Sequence, residues 1–237
     1  MKQNITQLQS TAKPTKLRSE HMVTLEPITK NQSKVFESFK KENHMILSGS
    51  AGSGKTFLSL YLALETVLDK NTVYDKVVIV RSVVPTRDIG FLPGTQEEKE
   101  MAYVLPYISI AHELFNDKMA YEKLVTQGNL EFITTSYIRG ITLRNAIVVV
   151  DEMQNLNFHE LDSVITRIGD NCRVIFAGDY YQSDFEKKND KEGILKFLNI
   201  LDNMKKFDHI EFTWQDIVRS DLVREYIVTK EMLESNS

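Results

Sequence analysis

The chain has 237 residues, of which 42% are hydrophobic and 26% are charged, as in an ordinary globular protein with a sizeable core. Its formal net charge of −4 excludes a general attraction to nucleic acid, so any such binding needs a local basic patch. A single cysteine, Cys172, excludes a disulfide framework, and no apolar run approaches the roughly 20 residues that span a bilayer.

The first 22 residues are polar and basic, and we predict a flexible basic arm at 1–22, followed by one domain at 23–237. The arm lacks the apolar segment of a secretory signal peptide, so a cytoplasmic location is expected. Basic clusters in the arm, at 187–191 and at 205–206 are candidates for contact with nucleic acid.

The first strong motif is GSAGSGKT, which fits the phosphate-binding pattern G-x-x-x-x-G-K-[ST]. An apolar run at 45–47 predicts a buried strand before it, and the spacing at 57–68 predicts a helix after it. In such a loop, backbone N–H groups and the helix dipole bind the phosphates of a nucleoside triphosphate. The predicted phosphate-binding residues are Gly49, Ser50, Ala51, Gly52, Ser53, Gly54, Lys55 and Thr56.

Two of these side chains have particular roles. Lys55 is expected to reach the β- and γ-phosphates, and Thr56 to offer its hydroxyl to Mg²⁺.

A second strand-like run covers 76–81, and a long connection follows it from Ser82 to about Glu97. Loops of this length in a compact domain are commonly functional. The connection leaves the carboxyl end of a strand, which is the edge where open α/β sheets bind ligands.

Further strand-like runs follow at 130–133 and 146–150, and the latter ends in Asp151-Glu152, a Walker B arrangement. A carboxylate at the tip of a buried strand can reach Mg²⁺ held by Thr56, and we assign that role to Asp151. Glu152 is expected to face the opposite way and to polarise an attacking water. This second carboxylate favours an ATPase over a small-molecule kinase.

The run at 173–177 ends in GDYYQ, and Gln182 is predicted to hydrogen-bond the γ-phosphate or the attacking water. A sixth run lies at 209–212. Because strand-like runs alternate with helical stretches, the sequence predicts an α/β fold with a mostly parallel sheet and helices on both faces.

These motifs together are similar to those of the PhoH family, phosphate-starvation-inducible ATPases that are also widespread in bacteriophages. The pairing of D-E-x-Q with G-D-x-x-Q also resembles superfamily-one helicase motor domains. The resemblance covers about residues 23–228 and implies that the α/β fold is a single RecA-like P-loop NTPase domain. Beyond the phosphate-binding motif (Walker A) and the Walker B arrangement, the matching segments are 90–94, 105–107, 137–143, 151–155 and 216–219.

The resemblance implies roles for two more residues. Gln32 resembles an adenine-reading glutamine that favours ATP over GTP, and Arg219 resembles an arginine that completes the γ-phosphate site from the same or a neighbouring subunit. It also implies ATP and Mg²⁺ as cofactors, RNA or single-stranded DNA as a partner, and a homo-oligomer such as a hexameric ring. For a phage-encoded member, the location would be the host cytoplasm.

The chain departs from the family pattern at three places. Ser82 stands where proline is usual, Ile141 where a second arginine is common, and Ser220-Asp221 where His-Pro usually follows the arginine. Two other functions stay open: a nucleotide-gated binding protein whose ATP-bound state orders a partner surface, and a P-loop small-molecule kinase, against which Glu152 and Gln182 argue.

Overall fold

The computed structural model describes residues 15–83, 96–179 and 188–235. The strands in these ranges are β1 (His44–Gly49), β2 (Lys76–Arg81), β3 (Leu130–Thr134), β4 (Ala146–Val150), β5 (Cys172–Ala177) and β6 (Phe207–Phe212). The helices are α1 (Lys30–Lys40), α2 (Lys55–Val67), α3 (Gln96–Phe115), α4 (Ala120–Thr126), α5 (Thr135–Ile138), α6 (Phe158–Ile165), α7 (Lys188–Asp202) and α8 (Asp221–Ser235).

All six strands form one parallel sheet in the order β3-β2-β4-β5-β1-β6. Strands β2 and β4 have the bounds expected from the sequence, and β6 begins two residues earlier than expected. One strand, β5, separates β1, which leads into the phosphate-binding loop, from β4, which leads into Asp151-Glu152. The predicted RecA-like α/β fold is thereby confirmed.

The burial of strand β4 explains why the sheet is covered by helices on both faces. Every residue of β4 is fully buried, because Ile147 and Val149 join the cluster with α2, α3 and α4, whereas Val148 and Val150 join the cluster with α6 and α7. Successive side chains of a strand point to opposite faces, so an unbroken apolar run needs helices on each side. Helix α2 is itself mostly buried, which fits its apolar composition.

Residues next to the predicted domain boundary pack against the domain. Leu17 is buried, its N–H donates to Gln127 Oε1 over 2.6 Å, and the Val23 N–H donates to the Leu114 carbonyl over 2.8 Å. The first 14 residues of the predicted arm lie outside the described residues. In the ranges that the structure covers, no helix is long and apolar enough to cross a membrane.

Candidate nucleotide-binding site

The loop between β1 and α2 has a backbone that only small residues fit. Gly49, Gly52 and Gly54 have φ angles of +105°, +74° and +85°. A Cβ on Gly49 would lie 1.8 Å from the Phe212 carbonyl oxygen, because that oxygen accepts the Ser50 N–H over 3.1 Å. The glycine at position 49 is therefore required by both the dihedral angle and the close approach of β6.

Lys55 lies inside this loop. Its ammonium group donates to the carbonyl oxygens of Gly49 and Ser50 over 2.7 and 2.8 Å and to Ser53 Oγ over 3.3 Å. The side chain is buried, and these bonds hold its positive charge inside the loop, where phosphate oxygens of a nucleotide would bind.

Thr56 and Asp151 meet across the sheet edge, as the sequence predicts. The Thr56 hydroxyl donates to Asp151 Oδ1 over 2.6 Å, and Asp151 is buried at the end of β4. A hydroxyl and a carboxylate are hard oxygen ligands of the kind that Mg²⁺ takes together with phosphate oxygens and waters. These two residues fit Mg²⁺; among the described residues there is no cluster of three or more His, Cys, Asp or Glu side chains able to hold a metal by themselves.

Asp151 accepts a second hydrogen bond, from a residue to which the sequence analysis assigned no role. Tyr107, a buried residue of α3, donates its hydroxyl to Asp151 Oδ2 over 2.8 Å. Burial raises the pKa of Asp151 and the neighbouring Glu152 carboxylate raises it further, whereas the bonds from Thr56 and Tyr107 and the nearby Arg81 guanidinium lower it. The carboxylate is thus held among partners that compensate part of its desolvation.

Arg81, at the end of β2, is another residue to which the sequence analysis gave no role. It lines the same cavity, its positive charge acts on Tyr107 and Asp151, and its guanidinium carbon lies 5.6 Å from the centroid of the Tyr103 ring. Burial raises the pKa of Tyr107 well above its usual range, and the Asp151 charge adds to this effect, so the phenol remains a hydrogen-bond donor. The sequence offered two signals for Tyr107, its position in an apolar helical pattern and the family match of segment 105–107, and neither indicated this role.

Glu152 does not face away from Asp151 as strand alternation predicts; both side chains line one cavity. The reason is a left-handed backbone at Glu152, with φ of +52°, which ends the strand geometry. Gln154 donates to Glu152 Oε2 over 2.5 Å and accepts the Asp179 N–H over 3.0 Å. A Cβ on Gly178 would lie 2.3 Å from Gln154 Oε1, so the glycine after β5 makes room for this link.

Gln32 lines the same cavity and is buried. Its side-chain Oε1 accepts the Ile28 N–H over 2.9 Å, and its backbone N–H donates to the hydroxyl of Thr29, the N-cap of α1, over 3.2 Å. The side chain is therefore fixed with its oxygen against the backbone, which leaves the amide nitrogen as the end available to a base.

Arg219 follows β6 and lies over the phosphate-binding loop of its own chain. The Val218 N–H donates to the Gly52 carbonyl over 3.1 Å, and Arg219 Cγ lies 3.0 Å from the position that a Cβ on Gly52 would take. Asp216, which accepts from Asn31 and from the Thr213 N–H, ties this segment to α1. Arg219 is exposed to solvent at the edge of the cavity.

One cavity of about 850 Å³ thus brings together most of the predicted residues: Gln32, Ala51, Gly52, Gly54, Lys55, Thr56, Asp151, Glu152 and Arg219 line it. Gln182 and segment 90–94 lie outside the described residues, so their predicted roles stay predictions.

Comparison with known proteins gives relatives from several bacteria. The chain is 31% identical over 210 residues to a PhoH-like protein of Synechocystis, covering 88% of this chain and 63% of the relative. It is 33% identical over 171 residues to protein PhoH2 of Bacillus subtilis (70% and 38%) and 31% over 194 residues to protein PhoH of Escherichia coli (78% and 52%). The chain thus spans less than two thirds of these relatives' lengths.

Among solved structures, the chain is similar to the Hef helicase domain of Pyrococcus furiosus, with a TM-score of 0.47 and 16% identity over 80% of this chain and 39% of that one. It is also similar to the Bacteroides Pif1 helicase in complex with ADP-AlF3 and single-stranded DNA, with a TM-score of 0.39 and 18% identity over 89% and 49%. The family model described as "PhoH-like protein" matches residues 24–231, and the chain belongs to the PhoH-like family.

Proposed function

We propose that this chain is a Mg²⁺-dependent ATPase of the helicase-like kind, which couples hydrolysis to RNA or single-stranded DNA and works as a homo-oligomer. The observation that carries the proposal is the meeting of the phosphate-binding loop with Asp151 and Glu152 around one cavity. A phosphate cradle with a metal-binding carboxylate and a second carboxylate is the equipment that hydrolysis of a nucleoside triphosphate requires.

Binding begins at the loop. Its backbone N–H groups and the start of α2 bind the phosphates, and Lys55 exchanges its carbonyl partners for phosphate oxygens. Gln32, held by Ile28, presents its amide nitrogen to an acceptor on the adenine edge. Thr56 and Asp151 would hold Mg²⁺, which when bound would neutralise charge on the phosphates.

Hydrolysis follows from the position of Glu152. Its carboxylate, oriented by Gln154, accepts a proton from a water whose oxygen attacks the γ-phosphorus. The bond from that phosphorus to the bridging oxygen breaks, which yields ADP and phosphate. Arg219, lying over the loop of its own chain, stabilises the negative charge that spreads over the transferring group.

Support for a nucleic-acid partner comes from the end of β3. Helix α5 follows this strand directly, and it presents Tyr137, which is 58% exposed, with Arg139 exposed just beyond. An exposed aromatic ring beside an arginine suits the stacking of a base and contact with a phosphate. Both lie at the carboxyl edge of the sheet, the same edge as the nucleotide cavity.

Support for a homo-oligomer comes from α8. Leu222, Tyr226 and Leu233 are 77%, 68% and 66% exposed and lie at a spacing that puts them on one side of the helix. Ile227, on another side of the same helix, lies 3.4 Å from where a Cβ on Gly52 would be, so α8 lies next to the phosphate-binding loop. A second copy covering α8 would remove this surface from water.

The test is an ATPase assay on the purified chain, with and without RNA and single-stranded DNA, together with a measurement of its size in solution. We expect Mg²⁺-dependent release of phosphate that nucleic acid stimulates. ATP binding without turnover would favour the nucleotide-gated binding protein, and phosphate transfer to a small molecule would favour the kinase.

A further inference from the structure

We propose that Tyr107 is a positioning residue, which fixes the orientation of the Asp151 carboxylate so that its other oxygen faces the bound metal ion. The inference rests on the proposed function, since it assigns a residue to the same site. It begins from the two hydrogen bonds of this carboxylate: Thr56 donates to Oδ1 over 2.6 Å and Tyr107 donates to Oδ2 over 2.8 Å.

The two donors contact different oxygens of the carboxylate. The Thr56 hydroxyl would bind the metal through an oxygen lone pair and can still donate its proton to Oδ1, so this oxygen lies on the side where the metal would bind. The carboxylate torsion of an aspartate is broad and roughly two-fold, and it does not fix the group by itself. Tyr107 holds Oδ2 on the other side and thereby keeps Oδ1 directed towards the metal position.

Tyr107 is well held for this task. Its ring is 1% exposed and packs against Phe132 with a centroid distance of 5.8 Å. Because a carboxylate can only accept a hydrogen bond, the hydroxyl proton of Tyr107 is directed towards Asp151. The positive charge of Arg81, at the end of β2, acts on both the phenol and the carboxylate.

The decisive variant is Tyr107→Phe, which removes the hydroxyl and keeps the ring. The measured quantity is the affinity for Mn²⁺ in the presence of ADP, which is obtained from the electron paramagnetic resonance signal of free Mn²⁺. We expect affinity to fall by about 10-fold, the lower end of what loss of an outer hydrogen bond to a metal ligand causes. Metal-free ADP affinity should stay as in the wild type, because the Tyr107 hydroxyl donates to Asp151 and Tyr107 does not itself line the cavity.

Tyr61→Phe is the matched control. Tyr61 is also a buried residue, and its hydroxyl also donates to a carboxylate over 2.8 Å, but that carboxylate is Glu65 on α2 and not a member of the metal-binding pair. Loss of an equivalent bond here should leave Mn²⁺ affinity unchanged. A similar fall in both variants would mean that the effect is one of general stability and would overturn the assignment.

Unchanged Mn²⁺ affinity in Tyr107→Phe also overturns it, whatever happens to the melting temperature. If this variant fails to fold, the wild type still provides a test: the hydroxyl proton of Tyr107 should stay protected in NMR spectra when Mg²⁺ and ADP are added, and its loss would contradict the inference. Failure of the proposed function gives a different result. A wild type that shows no ATP turnover contradicts the proposed function, whereas a fall in Mn²⁺ affinity in Tyr107→Phe still supports the role of Tyr107.

Discussion

At the residue scale, charges in the site are controlled by specific neighbours rather than by burial alone. Lys55 is buried with three oxygen partners of the loop, and Asp151 with two hydroxyl donors. Buried charges are tolerated when they are hydrogen-bonded in this way. The bonds of Lys55 to the loop are also ones that phosphate oxygens can replace, so the ammonium group is ready for exchange with ligand.

Lys55→Ala should abolish ATP binding or turnover, because it removes the ammonium group that lies in the loop. Nucleotide titration and phosphate release measure the two steps. Lys76→Ala is the control, since Lys76 pairs with Glu131 at the far edge of the sheet and should have no effect on either. Wild-type hydrolysis by Lys55→Ala would contradict the proposed function.

Glu152→Gln keeps the shape of the side chain but removes the charge that accepts the proton of water. ATP should still bind, whereas turnover should fall by roughly 10²-fold or more. Single-turnover kinetics separate the two effects. Near-normal turnover would mean that another group acts as the base.

At the scale of elements, the site is built where strands end. The loop after β1, the carboxylates after β4 and Gly178 after β5 lie at the carboxyl edge of one parallel sheet, where α/β sheets bind ligands. Packing between these ends is tight, since Phe212 of β6 reaches Gly49 and Gln154 reaches Gly178. Neighbouring strands therefore determine the shape of the phosphate-binding loop.

Gly49→Ala tests this dependence on β6. The new Cβ would meet the Phe212 carbonyl, so we expect loss of nucleotide binding and a large fall in the free energy of unfolding. Gly128→Ala is the matched control: Gly128 has a φ of +75° with nothing within 4 Å of its Cβ position, so it should cost only about 1–2 kcal/mol of backbone strain. Denaturant titration compares the two, and equal costs would contradict the steric argument.

At the scale of the whole molecule, the position of Arg219 bears on whether one chain can complete the site. Arg219 lies against Gly52 of its own chain and lines the same cavity. This favours action within the chain, although the exposed apolar face of α8 beside it favours association of copies. An experiment can separate the action of Arg219 within its own chain from the association of copies.

Arg219→Ala should leave nucleotide affinity nearly intact and lower kcat by up to about 10³-fold, as loss of such an arginine does elsewhere. If Arg219 serves its own chain, a mixture of Arg219→Ala and Lys55→Ala subunits should stay inactive. Differently tagged subunits establish that mixed oligomers form. Recovery of activity in such oligomers would show that the arginine of one copy acts on the nucleotide of another.

The sequence by itself determined the six strands, their parallel arrangement and the meeting of the phosphate-binding loop with Asp151. These features follow from local patterns: an apolar run is long enough to be a buried strand, and a motif at its end must lie at the carboxyl edge. The pair Thr56 and Asp151, distant in the chain, was predictable because both follow such strands.

Only the tertiary structure decided the positions of Tyr107, Glu152 and Arg219. Tyr107 lies 44 residues before Asp151, and which side chain of α3 reaches it depends on how that helix lies on the sheet. Glu152 enters the cavity through a left-handed backbone that strand periodicity does not predict. Arg219 is placed by the hydrogen bond from Val218 to Gly52, a long-range contact that no local pattern encodes, because it depends on the packing of β6 beside β1.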